Sequence, residues 1–448
     1  RLLKEGYQNF VVYEKSDRIG GTWRENTYPG IACDVPAHLY TYSFEPNPEW
    51  SQTFAPGREI QAYFERVARK YDVFRYVRFS ESVDYCAFEN GSWLVRTSQG
   101  REDNAKVLIA ATGVLHHPNV AQIDGLDTFR GTSFHSANWD HGVPLENKRV
   151  GVVGTGSTAI QITTALAART KRYDLYQRTA QWVMKIDNPK YSAEEKAGFL
   201  KDREKLQLFR NELSDKYLYF ANAVIDADSP EMLEVEHACR ENLEQNVHDP
   251  ILREKLTPNY RAGCKRLIFS PNFYESIQSS QAHVITTPIE KIEQRGVRLA
   301  DGELRELDVL VLATGFRAAN FIRPTTVVGS DGVNLNDVWA DHPVAYLSIS
   351  VPGFPNFFML NGPNGPVGNF SLIQIAESQI DYILKLIDQI RQGQCKGLSA
   401  NEMITREYEK ERGAAATKSI WASGCKSWYL DKNGVPASWP WSPERFFN

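Results

Sequence analysis

Residues 148–168 read KRVGVVGTGSTAIQITTALAA: an apolar run, a glycine turn and an amphipathic stretch in that order. The order predicts a strand, a tight turn and a helix. Gly154, Gly156 and Ala159 fill the pattern G-x-G-x-x-G/A. The first glycine permits the turn, the second lets a diphosphate approach the backbone, and the small third residue packs helix on strand. The opening turn of such a helix has unpaired N–H groups and the positive end of the helix dipole. Thr155, Ser157, Thr158 and Gln161 therefore join the three small residues as candidate dinucleotide contacts.

A second strand, YDLYQ, follows the helix and ends at Gln177, Arg178 and Thr179. An acid here would accept hydrogen bonds from a free ribose 2′-hydroxyl, whereas a guanidinium and a hydroxyl suit a 2′-phosphate. Arg178 and Thr179 thus point to NADPH. The first strand of the chain, read from Asn9, ends instead at Glu14, where an acid fits the adenosine ribose of FAD. The strand and glycine loop that should precede it are not in the sequence, so the FAD unit is expected to be truncated at its start. Downstream comes a turn-rich segment, RIGGTWRENTYPGIACDVPAHLYTYSFEP, of the length at which loops are usually functional. Two apolar strands end in the same tripeptide, at Ala111–Gly113 and Ala313–Gly315. The stretch FPNFFMLNGPNGPVGNFS precedes a helix expected over about 371–390, and its backbone N–H groups could meet a flavin.

These signals predict an α/β chain with two Rossmann-like dinucleotide-binding domains. The FAD-binding domain is expected in two parts, 1–140 and 306–448, around an NADPH-binding domain at 141–305. Residues from about 191 to 259 alternate charged and apolar positions at helical spacing, which predicts a helical insertion in the NADPH domain. Its aromatics Phe209, Tyr217, Tyr219 and Phe220 are expected in the core, with a substrate entrance as the alternative.

Over 448 residues, 24% are charged and 42% apolar, with a net charge of -4, so nothing draws the chain to nucleic acid or anionic membrane. No apolar run approaches the roughly 18–20 residues of a membrane span, and no signal pattern opens the chain, so a soluble cytoplasmic protein is expected. The six cysteines are scattered, without C-x-x-C or zinc spacing, which predicts reduced, mostly buried thiols and no metal.

Two further stretches resemble one family. Phe129–Asp140, FRGTSFHSANWD, resembles the pattern F-x-G-x-x-x-H-[TS]-x-x-W-[PD], and Gly20-Gly21-Thr22-Trp23 with Tyr28-Pro29-Gly30 and Asp34 matches G-G-x-W, Y-P-G and Asp. Together they resemble the Baeyer-Villiger branch of the class B flavoprotein monooxygenases, over nearly the whole chain. The resemblance implies FAD and NADPH as cofactors and O2 and a small-molecule ketone as substrates, with a sulfide as the alternative. The expected reaction passes through a C4a-peroxyflavin and inserts oxygen beside the carbonyl, giving an ester or lactone.

It also implies roles for residues. Arg266, in GCKRLIFSPNFYES, would stabilise the peroxide anion, and Asp34 would position Arg266. Lys265 would contact the NADP phosphate or ribose, Ala32 and Cys33 would line the nicotinamide, and Gly21, Thr22, Trp23 and Tyr40 would line FAD. His135 reads as a structural histidine. An N- or S-oxygenating flavin monooxygenase stays open as a second reading, as does a nucleotide-binding protein without FAD. A disulfide reductase would need a C-x-x-C for the flavin's electrons to reach.

Overall fold

The computed structural model describes residues 1–366 and 370–447. The glycine-rich stretch expected to meet a flavin therefore lies in part, at 367–369, outside the described residues.

A five-stranded, all-parallel sheet holds the centre of the chain. Its order is Ala282–Ile285, Arg172–Tyr176, Arg149–Val153, Val309–Leu312 and Thr132–His135. Strands of this kind are buried on both faces and read as continuous apolar runs, and VLVL at 309–312 is buried at every position. Helix Ser157–Leu166 covers the sheet through Ile160, Ile162 and Leu166, each at most 2% exposed. Fully burying a side chain of this size contributes about 1.5–3 kcal/mol. Trp139 enters the same core and meets Phe134 edge-on at 5.0 Å, so the motif tryptophan is a packing residue.

Chain order reverses between the strands Arg149–Val153 and Val309–Leu312. Such a switch point leaves a crevice beyond the strands' carboxyl ends, where ligands bind. The turns at Gly154 and Ala313 meet there so closely that a Cβ on Gly154, whose φ is +122°, would lie 2.3 Å from Ala313 O.

The sheet reaches beyond the residues expected for the NADPH-binding domain. Thr132–His135 and Val309–Leu312 fall outside 141–305, yet both are strands of this sheet. Both A-T-G strands look alike in sequence, and only pairing separates them: Leu108–Ala110 runs parallel to Phe357–Met359 in a different sheet. The first strand is also shorter than expected, Val12–Tyr13, paired with Val77–Arg78. A four-stranded sheet joins the hairpin strands Val83–Glu89, Ser92–Thr97 and Glu102–Ala105 to Thr326–Val328.

Between 191 and 259 lie the helices Ala193–Lys201, Arg203–Ala223, Pro230–Asn246 and Pro250–Leu256. The last three begin where Asp202, Ser229 and Asp249 accept a backbone N–H from the first turn, and proline opens two of them. A side-chain cap of this kind contributes about 1 kcal/mol. Helix Leu372–Arg391 follows the glycine-rich stretch. No helix among the described residues is long and apolar enough to cross a membrane.

The cysteines depart from expectation. Cys33, Cys86 and Cys239 are buried thiols and Cys395 a half-buried one, but Cys264 and Cys425 form a disulfide across 161 residues. Motif spacing detects only local pairs, and this pair is made by the C-terminal segment folding back beside Arg266.

Candidate active site

Asp34 sits in the loop after the short helix Thr22–Glu25, and Arg266 in the loop before the strand Ile268–Phe269. The fold joins them: Arg266 Nη2 and Nε both donate to Asp34 Oδ2, at 2.6 and 3.1 Å. Tyr217, from helix Arg203–Ala223, donates its hydroxyl to the Asp34 carbonyl. Tyr429, from the C-terminal segment, lies close enough to Arg266 for the two groups to influence one another's ionisation. Burial pulls the guanidinium pKa down, but the charge and hydrogen bonds of Asp34 oppose it and the net shift is upward. Burial likewise raises both tyrosines and Cys33, which stay neutral. The result is one fixed cation, one carboxylate and two neutral phenols in one cluster.

Next to this cluster, Trp23 Nε1 donates to Tyr40 Oη at 3.2 Å, and the rings meet edge-on at 5.7 Å. Gly21, at φ +50°, precedes Thr22, which starts the short helix. Glu14 accepts from Ser16 N at 2.9 Å through Oε1, with Arg24 at 3.9 Å.

At the glycine turn, a Cβ on Gly156 would have nothing within 4 Å, so the approach that a diphosphate needs is open. No side chain caps the helix that starts at Ser157, and Ala159 is fully buried beneath it. Thr155 Oγ1 donates to Thr179 O at 2.7 Å, tying the turn to the end of the neighbouring strand. Arg178 is exposed, with no ion pair to an acid among the described residues. Burial first, and the Arg178 charge second, lower the pKa of Lys265. Two cations that feel one another's charge suit a phosphate. The residues present therefore fit the dinucleotide that the turn implies.

Gln161 also joins the Asp34 loop. Its Nε2 donates to Ala32 O at 3.0 Å and its Oε1 accepts from Tyr28 Oη at 2.9 Å, so it fastens the Asp34 loop to the nucleotide helix. Tyr28 and Thr158 are neighbours at the same seam. His135 is 4% exposed and accepts from Ala137 N at 3.1 Å, in keeping with a structural histidine. Of the aromatic stripe, Phe209 stacks on Phe199 and Phe220 packs in the core, Tyr219 reaches the surface, and Tyr217 belongs to the site.

A model of flavin-binding monooxygenase-like proteins matches residues 2–219. An uncharacterized monooxygenase of Mycobacterium tuberculosis is 44% identical over 97% of this chain and 87% of its own length. A Baeyer-Villiger monooxygenase of Streptomyces coelicolor is 36% identical over 100% of this chain and 86% of its own. The chain belongs to the Baeyer-Villiger monooxygenase family. The crystal structure of the OTEMO complex with FAD and NADP matches this monooxygenase with a TM-score of 0.88 and 25% identity, over 99% of this chain and 93% of that one. The protein is a flavoprotein monooxygenase with FAD and NADP as its cofactors.

Tyr217, Tyr429 and the Cys264–Cys425 pair complete the cluster around Arg266, and motif reading does not assign them. Tyr217 stands in the aromatic stripe and so left a trace; Tyr429 and Cys425 left none, because their roles arise only when the chain end returns to Arg266.

Proposed function

We propose that the enzyme inserts one oxygen atom of O2 beside the carbonyl of an organic ketone, releasing an ester or lactone. The observation that carries this reading is the Arg266–Asp34 pair, a cation that stays charged at any working pH and is held in one plane. FAD, when bound, would supply the redox chemistry that links NADPH to O2. Arg266 holds a positive charge where negative charge develops during oxygen transfer; a preorganised charge of this kind needs no reorganisation as the reaction proceeds. Asp34 fixes its orientation, while Tyr217 and Tyr429 occupy positions that water would otherwise fill. Trp23, Tyr40, Gly21 and Thr22 would hold the flavin, and Glu14 the adenosine ribose. Gly154, Thr155, Gly156, Ser157, Thr158 and Ala159 cradle the NADPH diphosphate. Arg178, Thr179 and Lys265 take its 2′-phosphate, and Ala32 and Cys33 line the nicotinamide.

The test supplies the FAD-loaded enzyme with NADPH, ¹⁸O2 and a panel of cyclic, linear and aryl ketones, alongside sulfides and amines. Esters or lactones with one labelled oxygen are expected. Inertness toward every ketone with fast sulfide oxidation would overturn the reading.

A further inference from the structure

Tyr260 contacts the Lys265 side chain at one end and the segment just after Arg178 at the other. The Lys265 ammonium lies over its ring, 4.6 Å from the centroid. The hydroxyl at the other end of the same ring lies 2.9 Å from Ala180 O and 2.8 Å from Gln181 Oε1, donating to one at a time. Ala180 and Gln181 directly follow Arg178 and Thr179. Trp182 Nε1 adds a bond to the Tyr260 carbonyl at 2.6 Å. One rigid side chain therefore spans from the segment that carries Arg178 to the side chain of Lys265. A lysine has four flexible bonds and would otherwise lose much rotamer freedom on meeting a ligand. Holding it on an aromatic face, which a cation favours, reduces that cost before the ligand arrives.

The geometry points to Tyr260 as a positioning residue that fixes the spacing of Arg178 and Lys265 and so sets the preference for NADPH over NADH. This rests on the reading of those two cations as the seat of the 2′-phosphate. The ring and the hydroxyl have separable parts in it: the ring face seats Lys265, and the hydroxyl anchors the Arg178 segment.

The test is calorimetric titration of the FAD-loaded enzyme with 2′,5′-ADP, NADP+ and NAD+, for the wild type and for Tyr260→Phe, Tyr260→Leu and Arg178→Ala. Tyr260→Leu is expected to weaken 2′,5′-ADP and NADP+ about 10-fold, through loss of the cation–π seat and the hydrogen bond. Tyr260→Phe, which keeps the ring, is expected to weaken them about 3-fold through loss of the hydrogen bond alone. NAD+ affinity should stay unchanged in both. Equal weakening of NADP+ and NAD+, or unchanged 2′,5′-ADP affinity beside a weakened Arg178→Ala, would overturn the role of Tyr260 alone. Unchanged 2′,5′-ADP affinity in Arg178→Ala as well would overturn the phosphate seat and the inference with it.

Discussion

Asp34 Oδ2 accepts two hydrogen bonds from Arg266, from Nη2 at 2.6 Å and from Nε at 3.1 Å, so a single carboxylate oxygen sets the plane of the guanidinium. Nη1 takes no part in that pair. The side chains keep 31% and 23% of their surface, so the pair is neither sealed in the core nor free in solvent. A pair placed like this orients a charge more than it stabilises the fold.

Arg266→Ala is therefore expected to separate two half-reactions. Reduction of the flavin by NADPH should remain, since hydride transfer needs no cation at this point, whereas oxygenated product should fall by about 10²–10³-fold. Anaerobic stopped-flow absorbance follows the first and product analysis the second. Ester formation at the wild-type rate in this variant would remove Arg266 from the reaction.

Gly30 tests the seam between the Asp34 loop and the nucleotide helix. Its φ is +85°, and a Cβ there would lie 2.4 Å from Gln161 O. Backbone cannot yield as a flexible side-chain end can, and the left-handed conformation alone costs a non-glycine residue about 1–2 kcal/mol. Gly30→Ala should push the loop off the helix, break the Gln161 bonds to Ala32 and Tyr28, and lower both the melting temperature and NADP+ affinity. Calorimetry reads both, and wild-type values would show that the seam is slack.

What could be read from sequence was local in the chain. The strand, turn and helix at 148–168 are set by a periodicity and two glycines, and the neighbouring strand by its apolar residues, so both appear where expected. Asp34 and Arg266 came from motifs that sit within loops. What could not be read needs distant partners. Val309–Leu312 and Leu108–Ala110 are both short apolar runs ending in A-T-G, and only their hydrogen-bonded neighbours assign them to different sheets. Asn9 to Val11 look like strand, but a strand exists only as far as its partner reaches, and pairing begins at Val12. Gln161 lies one turn into the helix, and its bonds to the returning loop at Ala32 and Tyr28 are contacts that no local pattern announces.

The Cys264–Cys425 disulfide bears on the C-terminal segment, since Cys264 lies two residues before Arg266 and Cys425 four before Tyr429. Of six cysteines, four are free, so unfolding without reductant should expose four titratable thiols and unfolding with reductant six. Losing a native cross-link costs roughly 2–5 kcal/mol where the cross-link chiefly restricts the unfolded chain. Cys425→Ala should thus lower the melting temperature by several degrees and weaken oxygenation more than flavin reduction, because Tyr429 is no longer tethered beside Arg266. Six thiols in the unreduced, freshly unfolded protein would show that the bond is not formed in solution.

His38 gives a pH dependence. It is 1% exposed, ringed by Tyr191, Phe199 and Phe209 at 5.2, 5.2 and 5.4 Å, with Arg210 nearby. Neither ring nitrogen has a hydrogen-bond partner among the described residues. Burial first, and the Arg210 charge second, push its pKa down to about 4. The unfolded chain binds a proton at this histidine near its usual value of about 6.5, the folded chain only near 4, so the unfolded state gains protons first as pH falls. Stability from His38 is full above about pH 6.5, declines from there to about pH 4 and then levels off, a loss on the order of 3 kcal/mol. His116 is also pushed down to about 4 by burial and adds a parallel decline. Burial lowers His117 and His135 as well. His38→Leu removes one of these declines, and because it also removes two unpaired buried nitrogens it should cost little at pH 7. Melting temperatures measured from pH 7.5 to 4 should fall less steeply for His38→Leu than for the wild type. Parallel curves would mean that His38 takes up its proton inside the folded enzyme as readily as in the unfolded chain.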